Sequence, residues 1–298
     1  MKRYCLSLLC LLLQGAYLQA AEEAASVPAP DAAPVAEEST PEEASEAPEM
    51  PEDLLDDEHA REEMAVNDFT APSIAKVFDS LQHLAPLPMN AVERKIPERM
   101  PLDRADLAIE IGFLIADGFL IVQANDLTKV EPLAKELSRY GKALGAGERV
   151  SRHVASLLES AKNNKPDQLK IELAATQKDV ERELVALRDT DLAHLISLGG
   201  WLRALNVAAT AVDQQFTQER AKELMREDIA DYYTEIVGTL HPRISERENF
   251  TEMRDILSGL RNEMVMDEEQ KKPIARATIS SILAKSAKLV TLASKRVE

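Results

Sequence analysis

The run from Leu107 to Val122 is almost wholly apolar, with Glu110 and Asp117 its only charges. At 100° per residue, Asp103, Asp106, Glu110 and Asp117 fall within one narrow wedge, and every other direction is apolar. A helix of this kind has to be surrounded, so the run predicts a central helix with the rest of the chain packed around it. Its small residues Ala108, Gly112 and Ala116 form a second stripe roughly opposite the acids. A matching stripe, Gly200, Ala204, Ala208 and Ala211, lies in the apolar segment after Asp191. Glycine inside a helix costs about 1 kcal/mol relative to alanine, and close helix approach is the usual compensation. The two segments are therefore expected to touch through these stripes.

The remaining pattern is helical throughout, with no convincing alternation of strand type and no fixed-period repeat. Ser73 is read as the N-cap of a first helix bearing Ile74, Val77, Phe78, Leu81 and Leu84. Four prolines between Pro86 and Pro101 predict an extended connector. Asp103 opens the central helix. The next helix ends at Gly145, and another runs over about 148–163. Pro166, at a first helical position, opens a long helix with the stripe Leu169, Leu173, Thr176, Val180, Leu184 and Leu187. Helices over about 191–215, from Thr217 and from Asp228 come next. Ser245 and Glu248 read as a capping box for a helix carrying Met253, Ile256, Leu257, Leu260 and Met264. A last helix spans about 273–294. The expected fold is all-α, a single multi-helix bundle of about eight to ten helices over 69–298.

Charge is distributed unevenly. Of the net charge of −17, residues 21–68 contribute −16, with 17 acidic residues, one basic residue and six of the fifteen prolines. Such a segment cannot bury enough apolar surface to offset chain entropy, and it is expected to be a disordered acidic linker. Residues 1–20, with Lys2, Arg3 and an apolar stretch over 4–13, have the form of a secretory signal peptide. The expected location is therefore exported, periplasmic or secreted. Both cysteines, Cys5 and Cys10, lie in that segment, so an exported chain would rely on packing and not on disulfides. The acidic balance argues against nucleic-acid binding.

Motifs are sparse. Ser73-x-x-Lys76 has the spacing of a serine–lysine pair, but no partner motif follows and a helix cap accounts for it. Gly141, Gly145 and Gly147 lack the lysine and strand of a phosphate loop and read as helix termination. The five histidines form no cluster, and the paired Glu-x-x-His pattern of a bundle di-metal centre is missing. Neither a metal nor another cofactor is expected. Glu110 and Asp117 stand about 10 Å apart along the axis, too far to share an ion. The best candidate site is a polar pocket of Glu110, Asp117, Arg203 and Asn206, with Arg203 a cation facing two carboxylates across the helix pair. His194, beside Leu198, Trp201 and Leu205, reads as a satisfied core histidine. The last helix sets Lys285, Lys288, Lys295 and Arg296 opposite Ile279, Ile282, Leu289 and Val290, a basic amphipathic face able to meet an anionic surface, though it lacks aromatic anchors.

The first functional expectation is a non-catalytic interaction or scaffold module of the envelope with a protein partner. The second is a binding module for a small apolar ligand held between helices, which requires an apolar cavity beside the central helix. The third is a hydrolase using Glu110 or Asp117, which requires those carboxylates to line an open cleft.

Overall fold

The computed structural model describes residues 71–266 and 272–297. The expected signal peptide over 1–20 and the expected acidic linker over 21–68 lie outside them. Among the described residues the fold is all-helical and without strands. The helices are α1 (Ile74–Ser80), α2 (Met89–Val92), α3 (Arg104–Gln123), α4 (Val130–Leu144), α5 (Gly147–Lys162), α6 (Pro166–Ala186), α7 (Thr190–Gln214), α8 (Gln218–Lys222), α9 (Glu227–Thr239), α10 (Pro242–Ser245), α11 (Glu248–Met264) and α12 (Arg276–Ala293). A 3₁₀ turn extends α1 over Leu81–Leu84, and another precedes α4 at Leu127–Lys129.

The pair α3–α7 forms the centre and makes the most extensive contact in the fold. Helices α1, α4 and α6 pack on one side of it, with α5 outside against α4 and α6; α12 packs on α7, and α9, α11 and α12 form the other side. Seventeen of the twenty residues of α3 are buried, its acids Asp106, Glu110 and Asp117 included. Helix α7 is long and apolar enough to cross a membrane by length and composition, but most of it is buried inside this core.

Glycine sets the closeness of the central pair. A Cβ on Gly112 would lie 2.0 Å from the Ile196 carbonyl oxygen, and one on Gly199 would lie 2.4 Å from the Ile109 carbonyl oxygen. The backbones thus meet directly, on α3 through Gly112 of the expected stripe. The register on α7 differs: Gly199, outside the expected stripe, makes the close approach to α3, and the space above Gly200 is filled largely by Ile74 of α1, whose Cδ1 would stand 2.1 Å from an added Cβ. Gly200 therefore seats the first helix as well as the second. Stacked Phe78 and Phe119, 5.4 Å between centroids, fix α1 on α3, and Trp201 stacks on Tyr233 of α9 at 5.0 Å.

Helix ends agree with the sequence where a side chain or glycine decides them. Asp103 accepts from the amides of Ala105 and Asp106, Thr217 caps α8, Pro166 starts α6, and Gly145 takes the left-handed conformation, φ 95°, after α4. Two expected caps do not form. Ser73 stands at the N-cap position without a side-chain bond; the Ile74 amide instead donates to Gln177 Oε1 at 3.0 Å. Ser245 belongs to α10, and the N-cap position of α11 is Arg247, whose guanidinium is drawn to Asp103 and Asp106. The connector is extended as expected apart from the single turn α2. Leu187, placed in the buried stripe of α6, is 51% exposed just past the helix end.

Candidate functional site

Each acid of the α3 wedge meets arginine, and the four arginines come from four parts of the chain. Arg247, between α10 and α11, donates to Asp103 at 2.8 Å and to Asp106 at 3.1 Å. Arg94, from the connector, donates to Glu110 at 2.6 Å and to Asp117 at 3.0 Å. Arg203, from α7, donates through Nε to Asp117 at 2.7 Å and through Nη2 to the Val92 carbonyl. Arg296, beyond α12, donates to Glu110 at 2.5 Å, and the next amide, Val297, donates to Asp106 at 3.0 Å. The wedge therefore binds the connector, α7, the α10–α11 joint and the C-terminal segment to one helix.

Charge pairing explains why acids persist in so apolar a helix. A buried carboxylate without a partner would be costly, whereas one accepting charge-assisted hydrogen bonds on both oxygens is largely compensated. Glu110 is fully buried and both its oxygens are engaged, as are both oxygens of Asp117. Burial alone would lower the Arg94 pKa, but the carboxylates of Asp117 and Glu110 outweigh it and raise it above the ordinary arginine value. The Arg94 guanidinium also lies over the Phe113 ring, 4.9 Å from its centroid. Asp106 is raised, chiefly by burial and also by the neighbouring Asp103, while Asp103 is lowered because bonds from Arg247 and from backbone amides overcome its burial.

Three of the four residues expected to form a polar pocket are thus brought into one network: Glu110, Asp117 and Arg203. The fourth is elsewhere in its contacts, since Asn206 donates to Ser286 of α12 at 3.3 Å. Sequence reasoning missed Arg94. It lies in a Pro-rich connector where no periodicity fixes a facing, and the sequence does not separate it from Lys95 and Arg99 of the same stretch. Arg247 was missed as well, and Arg296, expected on the basic face of the last helix, turns instead to Glu110.

Beside this network lies a cleft of about 1030 Å³. Its walls include Leu81, Leu87, Met89, Ile96, Leu120 and Ile121, and Arg94, Asp117 and Arg203 reach it from the network. Rim charges of both signs, Glu93, Lys129, Asp126 and Lys170 among them, surround it, with Lys129 holding Glu93 at 2.6 Å. Arg94 is 15% exposed at its side chain and Arg203 3%. Arg94 Nη2 is buried and ion-paired with Asp117 Oδ2 at 2.9 Å, outside hydrogen-bonding geometry, and Gln123 Oε1 is buried without a hydrogen-bond partner. A second hollow, at the Gly145–Gly147 turn, is polar and more open; its Arg149 is paired with Glu183.

Other candidates are absorbed structurally. His194 Nδ1 stands 3.0 Å from the Tyr232 hydroxyl, and burial lowers its pKa despite the nearby Asp191. His153 lies between Glu172 at 3.0 Å and Asp179 at 3.1 Å, joining α5 to α6. Among the described residues no group of three or more His, Cys, Asp or Glu side chains is arranged to hold a metal ion. The basic face of the last helix is largely engaged within the domain: Lys285 pairs with Glu263 at 2.7 Å, Lys288 with Glu252, and Arg296 with Glu110.

No family model, no curated protein and no solved structure matches the chain.

Proposed function

We propose that the domain is a non-catalytic binding module for a small, largely apolar ligand held in the cleft beside α3. The observation that carries this reading is the cleft itself: about 1030 Å³, with leucine, isoleucine and methionine in its wall, charged and polar side chains around them, and Arg94, Asp117 and Arg203 reaching it from the ion-pair network. That combination of size, apolar wall and convergent polar groups is characteristic of ligand sites. An apolar cavity next to the central helix is what the second of the sequence-level readings required. A hydrolytic role for Glu110 or Asp117 is disfavoured by their partners, because every oxygen that would take a proton already accepts from a guanidinium. Export to the envelope or beyond is part of the proposal and rests on the N-terminal pattern alone.

Native mass spectrometry of the chain purified from its own host tests the reading. The expected result is a mass above that of the polypeptide, with the excess released into organic solvent. A polypeptide of bare mass that also fails to take up added decanol would overturn it.

A further inference from the structure

The charges that line the cleft cancel. Four are carboxylates, on Glu93, Asp117, Asp126 and Asp167, and four are cations, on Arg94, Lys129, Lys170 and Arg203. Six of the eight hold one another. Arg94 and Arg203 clamp Asp117 at 2.9 and 2.7 Å, and Arg94 also holds Glu110 at 2.6 Å. On the rim, Lys129 bridges Glu93 at 2.6 Å and Asp126 at 3.2 Å. Asp167 and Lys170 are of opposite sign and stand one turn apart on α6. The other polar side chains of the lining, Gln82, Asn90 and Gln123, are uncharged amides. A charged head group entering such a site gives up hydration and finds no counter-charge that is not already paired. An anion drawn to Arg94 or Arg203 meets Asp117, which accepts from both. A cation drawn to Asp117 meets both guanidinium groups. Attraction and repulsion offset each other, and the loss of hydration remains. A zwitterionic head bears that loss at both of its charges. A hydroxyl loses far less on leaving water, and it can donate or accept beside an ion pair without breaking it.

From this juxtaposition of apolar wall residues with a charge-balanced polar lining, we infer that the ligand is an uncharged amphiphile, an alkyl chain with a hydroxyl head, whose chain lies along Leu87, Ile96, Leu120 and Ile121. The inference rests on the cleft being a ligand site and adds the charge of the head group. The head would lie beside the Arg94–Asp117 pair, whose side chains keep 15% and 12% of their surface exposed. The ion pairs would remain as they are. They select by exclusion, keeping the floor polar while presenting no net charge to a competing ion.

Calorimetric titration of the full chain with decanol, decanoate and decyltrimethylammonium separates the head-group claim from the cleft claim. Decanol is expected to bind at one site, and each of the two ions at least roughly tenfold more weakly, since a charge without a free partner is costly to desolvate. Either ion binding within that margin of decanol, or more tightly, overturns the inference and leaves the cleft reading standing. If none of the three binds, both fall. Ile121→Trp, which fills the cleft without touching the ion pairs, is expected to abolish decanol binding while the helical circular dichroism stays unchanged; undiminished binding by this variant overturns the inference by placing the amphiphile elsewhere.

Discussion

Glu181 is buried on α6, where Gln177 Nε2 donates to its Oε1 at 2.8 Å, and no cation answers it. Burial pushes its pKa up to about 8, against the smaller lowering by Gln177 and Ser197. Between about pH 4.5 and pH 8 the unfolded chain has lost this proton while the native protein keeps it. The native state therefore binds more protons, and this group's contribution makes stability fall as pH rises through that window. Glu181→Gln keeps the acceptor and removes the titration. Urea unfolding is expected to show the two proteins alike near pH 5 and the variant more stable by a few kcal/mol at pH 8, at about 1.4 kcal/mol per pH unit. Parallel pH profiles would contradict the assignment. The opposite case is Asp117, whose partners are arginines. Asp117→Asn leaves Arg94 and Arg203 short of charge in a buried place and is expected to cost about 3–5 kcal/mol in the same assay. Glu131→Gln, which breaks only the exposed pair with Lys135, is expected to leave the unfolding midpoint where it was.

At the scale of the element, the fold depends on how closely α3 and α7 approach. Gly112→Ala would set a methyl group 2.0 Å from the Ile196 carbonyl oxygen and 2.8 Å from the Gly200 amide nitrogen. Both obstacles are backbone, so the helices must part, and a loss of about 3 kcal/mol or more is expected in thermal or chemical unfolding. Gly238→Ala is the matching control: Gly238 is exposed in α9, its nearest neighbour would be Arg254 Cδ at 3.8 Å, and alanine is expected to stabilise by up to about 1 kcal/mol. The central pair was legible because apolarity and small-residue spacing are properties of one segment at a time. Helix boundaries were legible where Asp103, Thr217, Gly145 or Pro166 decides them locally. They were not where a distant group intervenes, as Gln177 does at Ser73 and as the Asp103–Asp106 pair does for Arg247. Of the candidate site, the α3 carboxylates and Arg203 follow from helical facing. Arg94 lies in a segment without periodicity, and the same indeterminacy hid the cleft that the connector helps to enclose; Arg296 reads as part of the basic face of the last helix, but the helix ends before it and it turns to Glu110. Asn206 has the facing assigned to it on α7, but a helix surface does not announce which neighbour will cover it; here that neighbour is α12.

Across the whole molecule, the acidity of the chain and the chemistry of the domain are separate matters. Nearly all the net negative charge lies in 21–68, whereas the described domain balances its buried acids with arginine one for one along α3. A helix that serves only to fill a core needs no such acids. Here they gather distant segments onto one axis beside the cleft. Amide hydrogen exchange of the full chain with and without decanol addresses this account most directly. Slowed exchange is predicted over 81–96 and 117–133, the segments that wall the cleft, with α9 and α11 unaffected. Protection confined to α9 and α11, or no protection at concentrations that saturate the protein, would contradict it.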